Sequence, residues 1–156
     1  MITFSTQVQK DWVDYNGHLR DAFYLLLFSY ATDSFMERIG LNQEDREASG
    51  HSLFTLECHL NFLHEVKLDQ TVEVRTQIIA HDHKRVHLYH ALYEPQGSTA
   101  LAASEQMLLH VDMAGPQSAP FSQLSLGQLE EIVHQQEGMP APEYVGRVMG
   151  LPAAQK

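Results

Sequence analysis

The sequence predicts an α+β fold, a curved antiparallel sheet wrapped round one long buried helix with a short helix near the C-terminus. Two features predict it. From Ala22 to Ile39 neither Pro nor Gly interrupts a run whose opening turns are apolar on every side. From Ser52 onward the apolar residues instead alternate one on, one off, the period of a strand. One early helix with no polar face, followed by consecutive strands, has to be covered by those strands.

The elements follow in order. Thr3 to Val8 alternate loosely and read as a first strand. It ends at Asp14-Tyr15-Asn16-Gly17, residue types that tolerate positive φ and bond their own backbone. Asp21 is placed to cap the helix, and Gly40 sits where it should stop. In "SLFTLECHLNF", Phe54, Leu56, Cys58, Leu60 and Phe62 share one expected face and Thr55, Glu57, His59 and Asn61 the other. Val72 to Ile78, Val86 to Leu92 and Leu101 to Val111 continue the meander, with the polar turn "HDHKR" and then Gly97-Ser98 between them. After Gly115 the chain becomes rich in Pro, Ser and Gln. There Ser125 to Gln128 resembles a capping box ahead of Leu129, Ile132 and Val133. Residues 1–115 are expected to form the main domain, and 116–156 a helix and extended tail packed on it.

Bulk properties narrow the function. A length of 156 residues with 44% hydrophobic content suits one domain with a continuous core. Ten Lys and Arg against twenty Asp and Glu give a formal charge of -10, which disfavours nucleic acid and anionic membranes as partners. Cys58 is the only cysteine, so no internal disulfide exists and no oxidising compartment is required. The start "MITFSTQVQKDW" lacks the regions of a signal peptide, and no apolar run reaches the ~20 residues of a membrane span. A cytoplasmic location is expected.

The string Asp14-Tyr15-Asn16-Gly17-His18-Leu19, with Tyr24-Leu25 and Phe28 on the helix behind it and strands beyond, resembles the 4-hydroxybenzoyl-CoA thioesterase branch of the hotdog-fold superfamily. The resemblance covers about Thr3 to Asp112. It departs at Arg20-Asp21, where many members carry Asn-Asn. It implies an acyl-CoA thioesterase with no metal or bound cofactor, working as a homodimer or homotetramer with sites between subunits; the alternatives are a CoA-ester binding or dehydrating protein of the same fold and a histidine-rich metal or interaction module. The counterpart of Asp14 serves that family as nucleophile or general base. The longer string "DYNGHLRDAFYLL", with the tail "PAPEYVGRVMGLP", is similar to the betainyl-CoA thioesterases associated with carnitine breakdown.

The chemistry of these residue types agrees. A thioester carbonyl needs a carboxylate or an activated water to attack it and donors to hold the resulting oxyanion. Asp14 supplies the first, or else merely caps its turn. Amides near Asp21 to Tyr24, at the positive end of the helix, supply the second. Gly17 permits the turn, Asn16 belongs to it, and His18 either bonds the turn or shares in catalysis. Glu57, on the polar face of its strand with His59, is a second carboxylate candidate. Lys84 and Arg85 form the most compact basic pair and are candidates for CoA phosphates. Trp12, Tyr15, Phe23 and Tyr24 cluster round the motif, where aromatic faces suit a quaternary ammonium group. A metal site from His81, His83 and His87 with His59 or His64 lacks any fixed spacing. Cys58 is expected on the apolar face as a packing residue.

Overall fold

The structure, a computed structural model, describes residues 1–115 and 117–151. Strand β1 spans Ile2–Gln7, and a short 3-10 turn at Lys10–Trp12 leads to helix α1, Asp21–Arg38. Helix α2 is Gln43–Ser49. Strands β2 (His51–Phe62), β3 (Thr71–His81), β4 (Arg85–Tyr93) and β5 (Ala102–Asp112) follow. The two-residue β6 at Gln117–Ser118 and helix α3, Gln123–Gln135, complete the order. The strands are antiparallel in the order β1-β3-β4-β5-β2, so β1 and β2 are the edges. Irregularities between Ile2 and Phe4, Thr55 and Glu57, and Ile78 and Ala80 each add local bend and twist, which curls the sheet round α1.

Helix α1 starts one residue before the sequence expectation. Arg20, in extended conformation and without a side-chain cap bond, occupies the N-cap. Asp21 is the first helical residue, and its carboxylate accepts the Ala22 N–H at 2.8 Å. At the other end Gly40, with φ +74°, closes the helix: the Gly40 N–H donates to Glu37 O and the Leu41 N–H to Met36 O at 2.9 Å. The wrapping is also less complete than the apolar run suggests. Leu27, Phe28, Ala31 and Phe35 are fully buried, while Leu25, on the groove beside β2, and Tyr30, against Phe4 of β1, remain partly exposed at the two edges of the sheet.

Strand β2 departs from strict alternation. Thr55 pairs with Leu108 and Glu57 with Met107, so Leu56 is an extra residue and the faces exchange across it. Phe54 therefore shares the outer face with Glu57 and His59, while Cys58, Leu60 and Phe62 face α1. Cys58 is nevertheless exposed, because β2 is an edge; its Sγ lies 3.2 Å from Ser104 Oγ.

Helix α3 begins three residues ahead of the expected capping box. Ser122 is the N-cap and its hydroxyl accepts the Ser125 N–H at 3.0 Å; Ser125 itself is buried inside the helix. Leu129 and Ile132 pack with Phe35, Ile39 and Phe121 and seal the core beyond the C-terminal half of α1. The chain then crosses the outer face of the sheet, where Tyr144 and Val145 lie on Tyr89, Ala91 and Ala103 and the Gly146 N–H donates to Glu105 at 2.7 Å. The end of the expected tail, residues 152–156, and Pro116 at the expected boundary fall outside the described residues.

A polar thread runs through the core. Thr3 and Thr76 hydroxyls meet at 2.6 Å, Thr76 bonds His90 Nδ1 at 2.7 Å, and His90 Nε2 bonds the Thr32 hydroxyl of α1 at 3.0 Å. A neutral imidazole is one donor and one acceptor, which matches two hydroxyl neighbours. Full burial pushes the His90 pKa down to about 3. The unfolded chain takes up this proton near the ordinary value of about 6.5. The stabilisation is therefore complete above that pH and is lost as pH falls from 6.5 towards 3, by about 1.4 kcal/mol per pH unit. Urea unfolding at pH 7.5, 6.0 and 5.0 should show a fall that is slight down to about 6.5 and approaches that slope below it, and His90→Gln should remove this part of the fall, although the variant starts less stable at pH 7.5. An identical slope in both proteins would show that His90 does not carry the acid sensitivity.

Candidate active site

The turn after β1 is built on one side chain. Asp14 Oδ1 accepts the Asn16 N–H at 2.8 Å and the His18 N–H at 3.1 Å, while the Asp14 backbone N–H donates to His18 O at 2.9 Å. Gly17, with φ +78°, occupies the left-handed position that this geometry needs. The connection from β2 to β3 grips the turn from outside: the Leu19 N–H donates to Val66 O at 2.7 Å and the Leu68 N–H to Gly17 O at 3.0 Å. The Arg20 N–H closes the motif by donating to Trp12 O.

This wiring sets the state of the carboxyl. The His18 N–H holds the Asp14 pKa below the ordinary 3.8, against an opposing desolvation effect, and the Asn16 N–H and the charges of His18 and Arg20 add to it. The group is thus ionised at neutral pH. Among the described residues Oδ2 has no hydrogen-bond partner, so one oxygen is pinned and the other is available. His18 Nε2 lies 3.3 Å from Glu65 Oε2.

The first turn of α1 offers fewer free donors than a bare helix end. The Ala22 N–H is taken by the Asp21 carboxylate and the Phe23 N–H by Arg20 O. The Asp21 N–H has no partner among the described residues. It remains, with the positive end of the helix, as the donor available to a developing oxyanion.

Beside this end lies an open cleft of about 330 Å³ lined by Leu19, Asp21, Tyr24, Phe62, Leu63, His64 and Glu65. The Tyr24 and Phe62 rings meet edge to face at 5.3 Å, and the Tyr24 hydroxyl donates to His64 O at 3.4 Å. Burial raises the Tyr24 pKa, so the phenol stays protonated. Sequence reasoning named Phe62 only as a strand residue and His64 only as a candidate metal ligand, and it passed over Glu65. They lie some forty residues beyond the motif, and only the pairing of β2 with β5 and the lacing of residues 66–68 to the turn carry them to it.

The other candidates are dispersed. Trp12 and Phe23 stack on each other at 6.0 Å, and Tyr15 is 95% exposed. Glu57 points to the outer face of the sheet, where it lines a cavity of about 260 Å³ with His59, Glu105, Arg147 and His87, the last bonded to Glu105 at 2.7 Å. Within one chain the sheet separates Glu57 from Asp14. Lys84 and Arg85 sit at the tip between β3 and β4. Eleven residues of β3 at about 3.3 Å each separate them from the Asp14 end. Arg85 is held by Asp82 at 2.6 Å; the Lys84 backbone N–H first, then Arg85, depress the Asp82 carboxyl to about 2. No group of three or more His, Cys, Asp or Glu suited to a metal occurs among the described residues.

Comparison with known proteins identifies relatives of this arrangement. The model of the thioesterase-like superfamily matches residues 8–135. A betainyl-CoA thioesterase of Pseudomonas aeruginosa is 62% identical over 152 residues, 97% of this chain and 96% of its own. A Rhizobium meliloti protein named L-carnitine dehydrogenase/betainyl-CoA thioesterase is 35% identical over 93% of this chain, which spans only 29% of that longer protein. Among solved structures, a candidate thioesterase of Pseudomonas putida KT2440 is 56% identical with a TM-score of 0.87, covering 98% of this chain and 97% of its own. A Staphylococcus aureus protein solved in complex with CoA is 28% identical with a TM-score of 0.91, covering 97% of this chain and 96% of its own.

Proposed function

The chain belongs to the thioesterase-like superfamily, and from that premise we propose that it hydrolyses betainyl-CoA to betaine and CoA, with Asp14 as the attacking group. Hydrolysis of an acyl-CoA thioester is the activity of the family and of the full-length relative. The betainyl group is our reading, supported by that relative's name. The observation that carries the mechanism is the division of labour within one carboxylate in the turn that leads to α1, Oδ1 tied to two amides and Oδ2 without a hydrogen-bond partner among the described residues.

A carboxylate held below its ordinary pKa is a poor base and a fully ionised nucleophile. Oδ2 attacks the thioester carbon, and the Asp21 N–H and the helix end stabilise the oxyanion. Collapse breaks the carbon–sulfur bond, releases the CoA thiolate and leaves an acyl-aspartyl anhydride. Water then cleaves the anhydride and restores the carboxylate. Gly17 and Asn16 keep the turn in shape. His18, paired with Glu65, lies where it can move a proton to or from that water.

The functional unit in this reading is a cytoplasmic homodimer or a homotetramer built from it, with residues 1–115 forming the site, α3 closing the core and Tyr144 and Val145 lying on the outer face of the sheet. Strand β2 is a twelve-residue edge with Leu56 and Phe62 exposed, and a groove lined by Leu25, Ser29, Asp33, Thr55 and Cys58 separates it from α1. Antiparallel pairing of β2 with its copy covers that edge. It also brings the copy's β3–β4 tip, with Lys84 and Arg85, to the end of the sheet that holds Asp14. Glu57 then stands at the seam between the two copies rather than inside one chain. The relatives that carry L-carnitine dehydrogenase in the same chain support a place for the reaction in carnitine breakdown.

Thiol release across short, branched, aromatic and cationic acyl-CoA esters tests the substrate. Betainyl-CoA should give the highest kcat/KM, and an aromatic or long-chain ester ahead of it would replace the betainyl assignment. With the best ester, kcat/KM should stay level from pH 7 to about 5 and fall only near or below 4, because the reacting carboxylate is the form favoured above its lowered pKa. Far-UV circular dichroism recorded at each pH separates this titration from unfolding. A fall centred near 6.5 would make an imidazole the essential base instead.

A further inference from the structure

A quaternary ammonium group cannot donate a hydrogen bond, so a site for it needs aromatic faces and negative charge close by, with no competing cation. In a betainyl ester one methylene separates the nitrogen from the carbonyl. The subsite for the cation must therefore abut the carbon that Asp14 attacks. This constraint sorts the aromatic clusters of the molecule. The largest, Tyr89, Tyr93 and Tyr144 under the C-terminal tail, lines a cavity of about 420 Å³ on the outer face, across the sheet from α1. Two of its rings are already covered, Tyr93 by Arg75 at 4.2 Å and Tyr144 by Arg147 at 5.2 Å. Trp12 and Phe23 present their faces to each other, and Tyr15 projects into solvent.

The cleft between α1 and the end of β2 remains. It begins at Leu19 and Asp21, directly after the Asp14 turn, and no lysine or arginine lines it. Phe62 is 53% exposed at its wall, and the buried Tyr24 ring fixes its orientation edge to face. Two carboxylates border the same space. Asp21 uses Oδ1 on the Ala22 N–H, and Glu65 contacts the motif through His18. We propose that this cleft is the specificity subsite for a trimethylammonium group, with Phe62 and Tyr24 supplying the aromatic surface and Glu65 and Asp21 the negative charge. The inference rests on the betainyl-CoA reading above and names what selects that substrate. It gives Asp21 a second task, counter-charge to the cation, beside the backbone donor it offers the oxyanion.

The test compares kcat/KM for betainyl-CoA with that for its neutral isostere 3,3-dimethylbutanoyl-CoA, in the full-length protein and in Phe62→Leu, Phe62→Tyr and Glu65→Gln. The ratio of the two constants is the readout, because damage to the turn or to folding affects both esters alike. The wild type should favour the cationic ester tenfold or more. Phe62→Leu and Glu65→Gln should each cut that preference by ~3- to 30-fold, the range of one cation–aromatic or ion contact, and Phe62→Tyr should keep it. If the wild type selects the cation and both Phe62→Leu and Glu65→Gln keep the full ratio, the cleft is not the subsite, although betainyl-CoA stands as substrate. If the wild type does not select the cation, the betainyl reading falls and the subsite falls with it.

Discussion

The hydrogen bonds from the Asn16 and His18 amides to Asp14 Oδ1 are the constraint on which the rest of the molecule turns. They fold the segment between β1 and α1 into a tight loop. That loop gives the β2–β3 connection a fixed backbone to bind, through Leu19 to Val66 and Leu68 to Gly17. The entry of α1 is fixed as a result, because Arg20 is tied back to Trp12 and the helix begins at the next residue. The same two bonds keep the carboxylate ionised and leave its second oxygen unoccupied. Local structure and reactivity arise from one interaction. A residue with the shape of Asp14 and no charge would preserve the first and lose the second.

A second theme is the cost of a nearly all-apolar helix. The curled sheet and α3 bury one side of α1 completely, and a chain of threonine, histidine and glutamine side chains ties the middle of the helix to β3, β4 and β5. Such a thread tolerates little displacement, since each buried polar atom must keep its partner. The side of α1 turned away from the sheet has no such cover. Leu25 is exposed there beside the long open edge of β2. An uncovered apolar face next to an unpaired edge is the arrangement that a second copy relieves, and in that assembly the site would draw on both chains.

Much of this was legible in the sequence. The unbroken run from Ala22 to Ile39 could only be a buried helix, the alternation of Val72 to Leu92 could only be strands, and Asp14 to Gly17 had the residue types of one particular turn. What escaped has physical reasons. Helix α2 is seven residues, all polar but Ala48, with no apolar period, stabilised by Asn42 at its start and the positive φ of Gly50 at its end. The bulge at Leu56 leaves no mark on composition, since Phe54 and Leu56 are apolar on either parity. Ser122 competes with Ser125 for the same capping role, and the local geometry chooses between them. Of the aromatic residues round the motif, only Tyr24 reaches the cleft. Phe62 and Glu65 come from a strand end that is distant in sequence, which no local pattern reveals.

The central claim is that the carboxylate held in this turn acts on the thioester, and single-turnover thiol release by Asp14→Asn with enzyme in excess tests it most directly. The amide side chain can still accept the Asn16 and His18 N–H groups, so the fold and the affinity for the ester should persist. The chemical step should slow by ~10² or more, the scale for losing a nucleophile or base. A saturated variant that releases thiol within about tenfold of the wild-type rate would contradict the claim and move the reaction to another group.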